Sequence, residues 1–377
     1  MKKTIFAFFL IFLLSLTACS ARSSAPDAQQ TSEPQAETSS QVDISELPDG
    51  QCYRQTPYLN PIGISYPEGQ CVWNGKVYSF SNAPGKLGVT DANGNSEALE
   101  LPDAEYIYGV CENGDTLAVL AGADPLFFAG TDNEQSAQAS ENGNHAIYLY
   151  DEAGNLTGSI PLAERCADAP YALDGDGTDY FLLFSDAVVR VGSDGTQLAK
   201  SGDMGGRLLQ LACADGAVYV CVEGDRIYQT EKLVRLNAQT LEFEAELSCA
   251  GLDIQGMGTA ADGTLLLISG EYLLRPDFEA GTMRAILHWA DNANTSVNNY
   301  RSILETEPGF FAWNSDVEAA CFYEKLPDGE TLEEPTVITL FAGAGSYEIE
   351  LAAASFQKLY PQYRIDITAS ESDEQTE

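Results

Sequence analysis

Six times between Val72 and Tyr323 the chain repeats one short figure: a few apolar residues, a turn led by Asn or Asp, then a strand-forming apolar run. The copies read "VWNGKVYSF", "CENGDTLAVL", "DGDGTDYFLLF", "CADGAVYVC" and "AADGTLLLI", with a worn sixth in "AWNSDVEAACFY". Their turns begin at Asn74, Asn113, Asp176, Asp215, Asp262 and Asn314, at intervals of 39, 63, 39, 47 and 52 residues. Asn-Gly and Asp-Gly accept the positive φ angles that a two-residue hairpin turn demands. A recurrence at this spacing restricts a chain to architectures that stack one supersecondary unit after another.

A second hairpin type lies between the copies, in "LGVTDANGNSEALEL", "IYLYDEAGNLTGSIPL", "VVRVGSDGTQLAK" and "LVRLNAQTLEFEAEL". Two hairpins per period make four strands per unit, the period of a β-propeller blade. One blade cannot bury its own faces, so the units must stack around an axis. The fold class expected is mainly β, a propeller of about six (alternatively seven) four-stranded blades over residues 49–330, with an irregular β-sandwich as the competing arrangement. "QCYRQTPYL", Gln51 to Leu59, is placed to add a strand to the last blade and close the ring. The 63-residue interval holds "GADPLFFAGTDNEQSAQASENGN", expected to be a surface loop. No Gly-His…Trp-Asp signature is present, so the repeat is not of the WD40 kind.

The chain of 377 residues is 44% hydrophobic and 10% aromatic, enough for a packed body. Its 57 acidic residues against 19 basic ones leave a net charge of −38. Such a surface repels phosphate backbones, which excludes nucleic acid as a partner.

Lys2 and Lys3, the apolar run Ile5 to Leu14 and "LTAC" at Leu16 to Cys19 have signal-peptide architecture, too short for a spanning helix. "LTAC" resembles the bacterial lipobox, which implies cleavage after residue 18 and a diacylglyceryl thioether on Cys19. Several acyl chains, at about 0.8 kcal/mol per buried methylene, hold such a protein to the membrane. Residues 19–48 include "SARSSAPDAQQTSEPQAETSSQ", which has almost nothing to bury and reads as a disordered tether. Eight cysteines follow Cys19. In "CADGAVYVC" the turn at Asp215-Gly216 sets Cys213 opposite Val218 and Cys221 on the other face, so these two cannot bridge within their hairpin. Cys111 holds the same place before its turn as Cys213, where Ala260 stands in a later copy. These read as small buried residues.

No catalytic constellation emerges. His145 and His288 lack a second ligand at metal spacing. "GISYP" at Gly63 to Pro67 lacks the last Gly of a nucleophile elbow, and "SFQK" at Ser355 to Lys358 has no K-T-G companion. "DGDGTD", Asp174 to Asp179, has Asp179 where an EF-hand loop needs Gly and Ser185 where it needs Glu, so a turn is expected there. The reading is of a non-enzyme with no metal and no cofactor.

Past residue 335 the pattern changes. "TVITLF" alternates little, as in a strand buried on both faces. "AGAGS" follows as a turn, with Ser346 a helix N-cap and Glu348 and Glu350 near the positive helix end. Ile349, Ala352, Ala353, Phe356 and Tyr360 share one helix face, Pro361 ends the helix, and "YRIDIT" is the next strand. Gly343-Ala344-Gly345 resembles a dinucleotide fingerprint, but Glu348 replaces its third Gly. Thr336 to Thr368 instead resembles the opening of the extracellular solute-binding proteins of ABC importers, in the carbohydrate-type branch. The resemblance covers about a tenth of the chain. It implies a lipid-anchored extracytoplasmic protein, a small-molecule (possibly sugar) ligand, an ABC permease as partner, and ligand contacts at Gly343, Ala344, Gly345 and Ser346. Residues 335–377 then form only the start of a binding domain, as in a fragment or truncated gene. A propeller-only surface binding or sensing lipoprotein is the alternative.

Overall fold

The computed structural model describes residues 42–45, 47, 52–59, 69–74, 76–81, 86–90, 96–99, 101, 106–122, 145–162, 170–289, 300–306, 309–314, 319–327, 330, 336–342, 349, 352, 353, 356, 359, 360 and 362–369. Asn74 and Asp215 both sit at φ 49°, and Gly114, Gly177, Gly216 and Gly263 are also left-handed. The Asn/Asp-Gly pairs therefore turn the chain as their chemistry requires, and each of these turns joins the first two strands of a blade.

A two-residue strand β1 (Val42–Asp43) and β2 (Tyr53–Leu59) come first. Blade one is β3 (Gly69–Trp73), β4 (Lys76–Ser81), β5 (Lys86–Thr90) and β6 (Ser96–Leu99). Blade two is β7 (Tyr106–Asn113), β8 (Thr116–Gly122), β9 (Ala146–Tyr150) and β10 (Leu156–Pro161). Blade three is β11 (Ala172–Gly175), β12 (Tyr180–Leu183), β13 (Val188–Val191) and β14 (Gln197–Lys200). Blade four is β15 (Leu208–Ala214), β16 (Ala217–Glu223), β17 (Thr230–Asn237) and β18 (Phe243–Ser248). Blade five is β19 (Ile254–Thr259), β20 (Leu265–Ser269), β21 (Tyr272–Asp277) and β22 (Thr282–His288). Blade six takes β23 (Tyr300–Thr306), β24 (Gly309–Asn314) and β25 (Ala319–Lys325) from late in the chain and β2 from its beginning.

The ring closes through that last blade. β2 lies antiparallel to β25 from Tyr53 opposite Lys325 to Leu59 opposite Ala319. First strands of successive blades are neighbours all the way round, β23 returning to β3. The fold is a six-bladed β-propeller, and the seven-blade and sandwich alternatives are set aside.

Second strands are the most buried, because both of their faces meet a neighbouring blade. β8, β12, β16 and β20 are buried almost throughout, while the outer strands β10, β14 and β18 are largely exposed. This explains why "TLAVLAG", "YFLL" and "LLLIS" read as unbroken apolar runs. Five apolar clusters fill the interfaces from blades one and two through to blades five and six. The first strands β7, β15, β19 and β23 each carry a register shift, at Tyr108, Leu209, Gln255 and Arg301, which adds local twist beside the axis.

Two sequence expectations need correction. The sixth repeat copy is displaced by one hairpin: Asn314 ends β24 opposite Ala319 of β25, whereas the first turn of blade six joins Thr306 to Gly309. In the sequence the two residues between Thr306 and Gly309 are Glu307 and Pro308, which do not match the Asn/Asp-Gly figure. Within the span expected to be a tether, residues 19–48, the structure describes residues 42–45 and 47 packed on the propeller. Val42 and Asp43 pair parallel with Met283 and Arg284 of β22, and Val42 and Leu47 pack on the cluster between blades four and five. The signal segment, Cys19 and the polar insertion at 123–144 lie outside the described residues.

Beyond the propeller, β26 (Thr336–Ala342) and β27 (Tyr363–Ala369) pair in parallel, Thr336 opposite Tyr363 through Ala342 opposite Ala369. Ile349, Ala352, Ala353, Phe356 and Leu359 between them are helical.

Candidate functional site

The lipidation residue Cys19 and the ligand-binding residues Gly343, Ala344, Gly345 and Ser346 lie outside the described residues. The strands on either side of that turn are described. Ligands of parallel α/β units bind at the carboxyl ends of the strands, and β26 ends at Ala342, directly before the predicted ligand turn. The helix expected from the apolar stripe packs as drawn on one side. Ala353 is 6% exposed, and the Phe356 ring lies 4.9 Å from Tyr360 and 5.9 Å from Tyr363. The expectation that "TVITLF" is buried on both faces fails: Thr336 to Phe341 are all exposed, Phe341 by 77%. The residues of a doubly covered strand are present, but among the described residues only one parallel partner and one helix accompany them.

A second constellation lies at the propeller axis. Asp174 is the penultimate residue of β11, which lies between β7, the strand of Cys111, and β15, the strand of Cys213. One Asp174 carboxyl oxygen accepts from Gly175 N at 2.8 Å, and the other accepts from Cys213 N of the next blade at 2.6 Å. Burial pushes the Asp174 carboxyl up to about 6, against the lowering effect of these two bonds. Burial, with the Asp174 charge beside them, holds the Cys111 and Cys213 thiols well above their ordinary value, and Cys71 of blade one is raised in the same way. Protonated thiols are poor nucleophiles. The row therefore offers one carboxyl able to exchange a proton near neutral pH, and no activated nucleophile. Its signal was legible: Cys111, Asp174 and Cys213 each stand two residues before the turn residues Asn113, Asp176 and Asp215. The two cysteines share one residue type, whereas Asp174 falls inside "DGDGTD", where it reads as part of a turn.

That motif is a turn. Asp176 Oδ1 accepts from Thr178 N at 3.0 Å and from Asp179 N at 2.8 Å. The Asp179 carboxylate is taken by the Arg190 guanidinium, whose Nη1 also donates to Gln239 O of blade four at 2.6 Å. The two histidines stay apart. His145 lies against Tyr108 in blade two, and His288 against Tyr272 in blade five.

No family model and no curated protein matches the chain. Solved structures do. A protein of unknown function from Bacteroides thetaiotaomicron superposes with a TM-score of 0.51 at 12% identity, covering 72% of this chain and 76% of its own. The Malassezia sympodialis allergen Mala s 1 gives 0.49 at 11% identity, over 72% and 95% of the two chains. A virginiamycin B lyase from Staphylococcus aureus gives 0.48 at 14% identity, over 73% and 100%. At these identities the likeness concerns the fold alone. Propellers carry many unrelated functions, catalysis among them.

Proposed function

We propose that this protein is a lipid-anchored, extracytoplasmic solute-binding component of an ABC importer, of the carbohydrate-binding kind, with a propeller ahead of its binding domain. The observation that supports the reading is the parallel pair β26 and β27 with helical residues between them, carrying Val337, Ile338, Leu340 and Phe341 exposed. A strand of that composition belongs in a sheet covered by helices on both sides. Gly343, Ala344, Gly345 and Ser346 are then the first ligand contacts, and Cys19 the membrane anchor. Binding and delivery to a permease require no catalytic residue and no cofactor.

Uptake of labelled oligosaccharides by cells carrying the gene tests this reading. Cys19→Ala should release the protein from the membrane fraction and abolish uptake, and deletion of residues 336–369 should abolish uptake while leaving the protein on the membrane. Undiminished uptake in the deletion strain overturns the transport role. Because β2 closes the ring without any residue beyond Lys325, the propeller is a complete body. A surface-binding lipoprotein using the propeller alone is therefore the second reading, favoured by that outcome.

A further inference from the structure

A cavity of about 210 Å³ lies between blades one and two. Strand pairing explains what lines it. Side chains alternate along a strand and align across a pair, so Lys76 and Tyr78 of β4 share a face with Trp73 of β3, which stands opposite Lys76. Tyr78 pairs with Val89 of β5, and Val89 with Glu97 of β6, which sets all five on the face of blade one turned to blade two. All five line the cavity, and Tyr150 of β9 lines it from blade two. Tyr150 is 2% exposed, and among the described residues its hydroxyl has no hydrogen-bond partner. Burial pushes that phenol up to about 12, so it stays a neutral donor. Lys76 is half-buried and Glu97 exposed, and among the described residues neither is in an ion pair.

We propose that this cavity binds a free α-amino acid with a large apolar side chain, of the leucine or phenylalanine kind. Ligand pockets combine an apolar lining with a few polar groups that fix orientation. Here those groups are one cation, one anion and one neutral donor. A molecule with a carboxylate and an ammonium on the same carbon satisfies all three. Its carboxylate accepts from Lys76 Nζ and the Tyr150 hydroxyl, and its ammonium donates to the Glu97 carboxylate. β4 and β6 are two strands apart, about 10 Å, so the ligand sits between the two charges. Its side chain then lies against Trp73, Tyr78 and Val89. Size agrees, since an apolar protein cavity of about 150 Å³ holds benzene and the further room here admits the charged end. A neutral sugar would leave Lys76 and Glu97 without counter-charges, and Trp73 and Tyr78, tilted 54° to each other, offer it no flat platform. The site lies within the propeller and does not depend on the role of residues 336–369.

Isothermal titration calorimetry of the full chain with L-leucine and L-phenylalanine tests the proposal. At least one of them should bind at one site per chain. Lys76→Met and Glu97→Gln should each weaken that binding about 10-fold or more, as expected for a charge-assisted hydrogen bond. Tyr150→Phe, which keeps the ring and its packing, should weaken it about 5-fold. The matching acid without the ammonium, 4-methylpentanoate or 3-phenylpropionate, should bind the wild type more weakly and lose no affinity in Glu97→Gln. A Glu97→Gln loss equal for the amino acid and its deaminated acid would mean that the substitution merely disturbs the fold, and would remove Glu97 from the site. Absence of binding by both amino acids, affinity unchanged in both Lys76→Met and Glu97→Gln, or tighter binding of maltose than of either amino acid would each overturn the proposal.

Discussion

Asp179 and Arg190 illustrate how single residues hold adjacent blades in place. Asp179 is 6% exposed, and its guanidinium partner reaches across to the main chain of blade four. Replacing Asp179 with Ala strands a buried cation and should cost about 3–5 kcal/mol in denaturant unfolding. Replacing both, Asp179→Leu with Arg190→Met, should recover most of that loss, since no charge is then left unpaired. Asp174 yields a pH signature. Its folded pKa of about 6 lies above the ordinary carboxylate value, so between about pH 4 and pH 6 the folded state binds the extra proton. Its contribution therefore disfavours folding progressively as pH rises through that window and is constant above it. Asp174→Asn keeps an acceptor for Cys213 N and removes the titration. The stability of the variant minus that of the wild type should rise by on the order of 1–3 kcal/mol from pH 4 to pH 7, partial exposure of the carboxyl lowering the figure. A flat difference curve would remove Asp174 from the account.

Elements meet more closely than their sequences announce. β19 and β23 pair directly in parallel, joining blades five and six into one nine-stranded sheet. Gly258 makes this possible: a Cβ there would lie 1.9 Å from Ile303 O. Gly258→Ala should cost about 2–3 kcal/mol, because backbone on both sides must move. A melt within 1 °C of wild type would show that the two strands can part freely. The strand pair β26 and β27 is the opposite case, an element with more apolar surface than partners. At about 25 cal/mol per Å² one helix and two strands offset little of the ordering cost of some forty residues. Limited proteolysis should therefore cut first between residues 330 and 346 and leave the propeller whole. An initial cut inside a blade would reverse that ranking of stabilities.

At the scale of the molecule, closure is what makes six small sheets one cooperative body. The N-terminal β2 completes a blade otherwise built from residues 300–325, so the two chain regions cannot unfold independently. Residues 42–327 alone should give a β-dominated circular-dichroism spectrum and a single unfolding transition. Starting at residue 60 instead removes β2 and uncovers the edge of β25. That fragment should melt at least 10 °C lower or aggregate through the freed edge. Equal melting of the two fragments would mean that the ring is held shut without β2.

The sequence by itself determined the blade. Local rules suffice for it: Asn74, Asn113, Asp176, Asp215 and Asp262 lead turns that few other residues could make, and the apolar runs after them fit only strands covered on both faces. It also indicated closure by residues 51–59, because a leftover strand before the first repeat needs an edge to pair with. Tertiary structure alone decided what lies between blades. The alignment of Asp174 with Cys213, the bond from Arg190 to blade four and the meeting of Cys221 with Met257 all depend on how far each blade rotates against the next. That rotation is set by the packing of whole faces, which no short segment records. Turn chemistry could not place the sixth unit either, for in the sequence Glu307 and Pro308 stand between the paired Thr306 and Gly309, with no Asn or Asp followed by Gly; only pairing with β2 and β19 settled which strand was first.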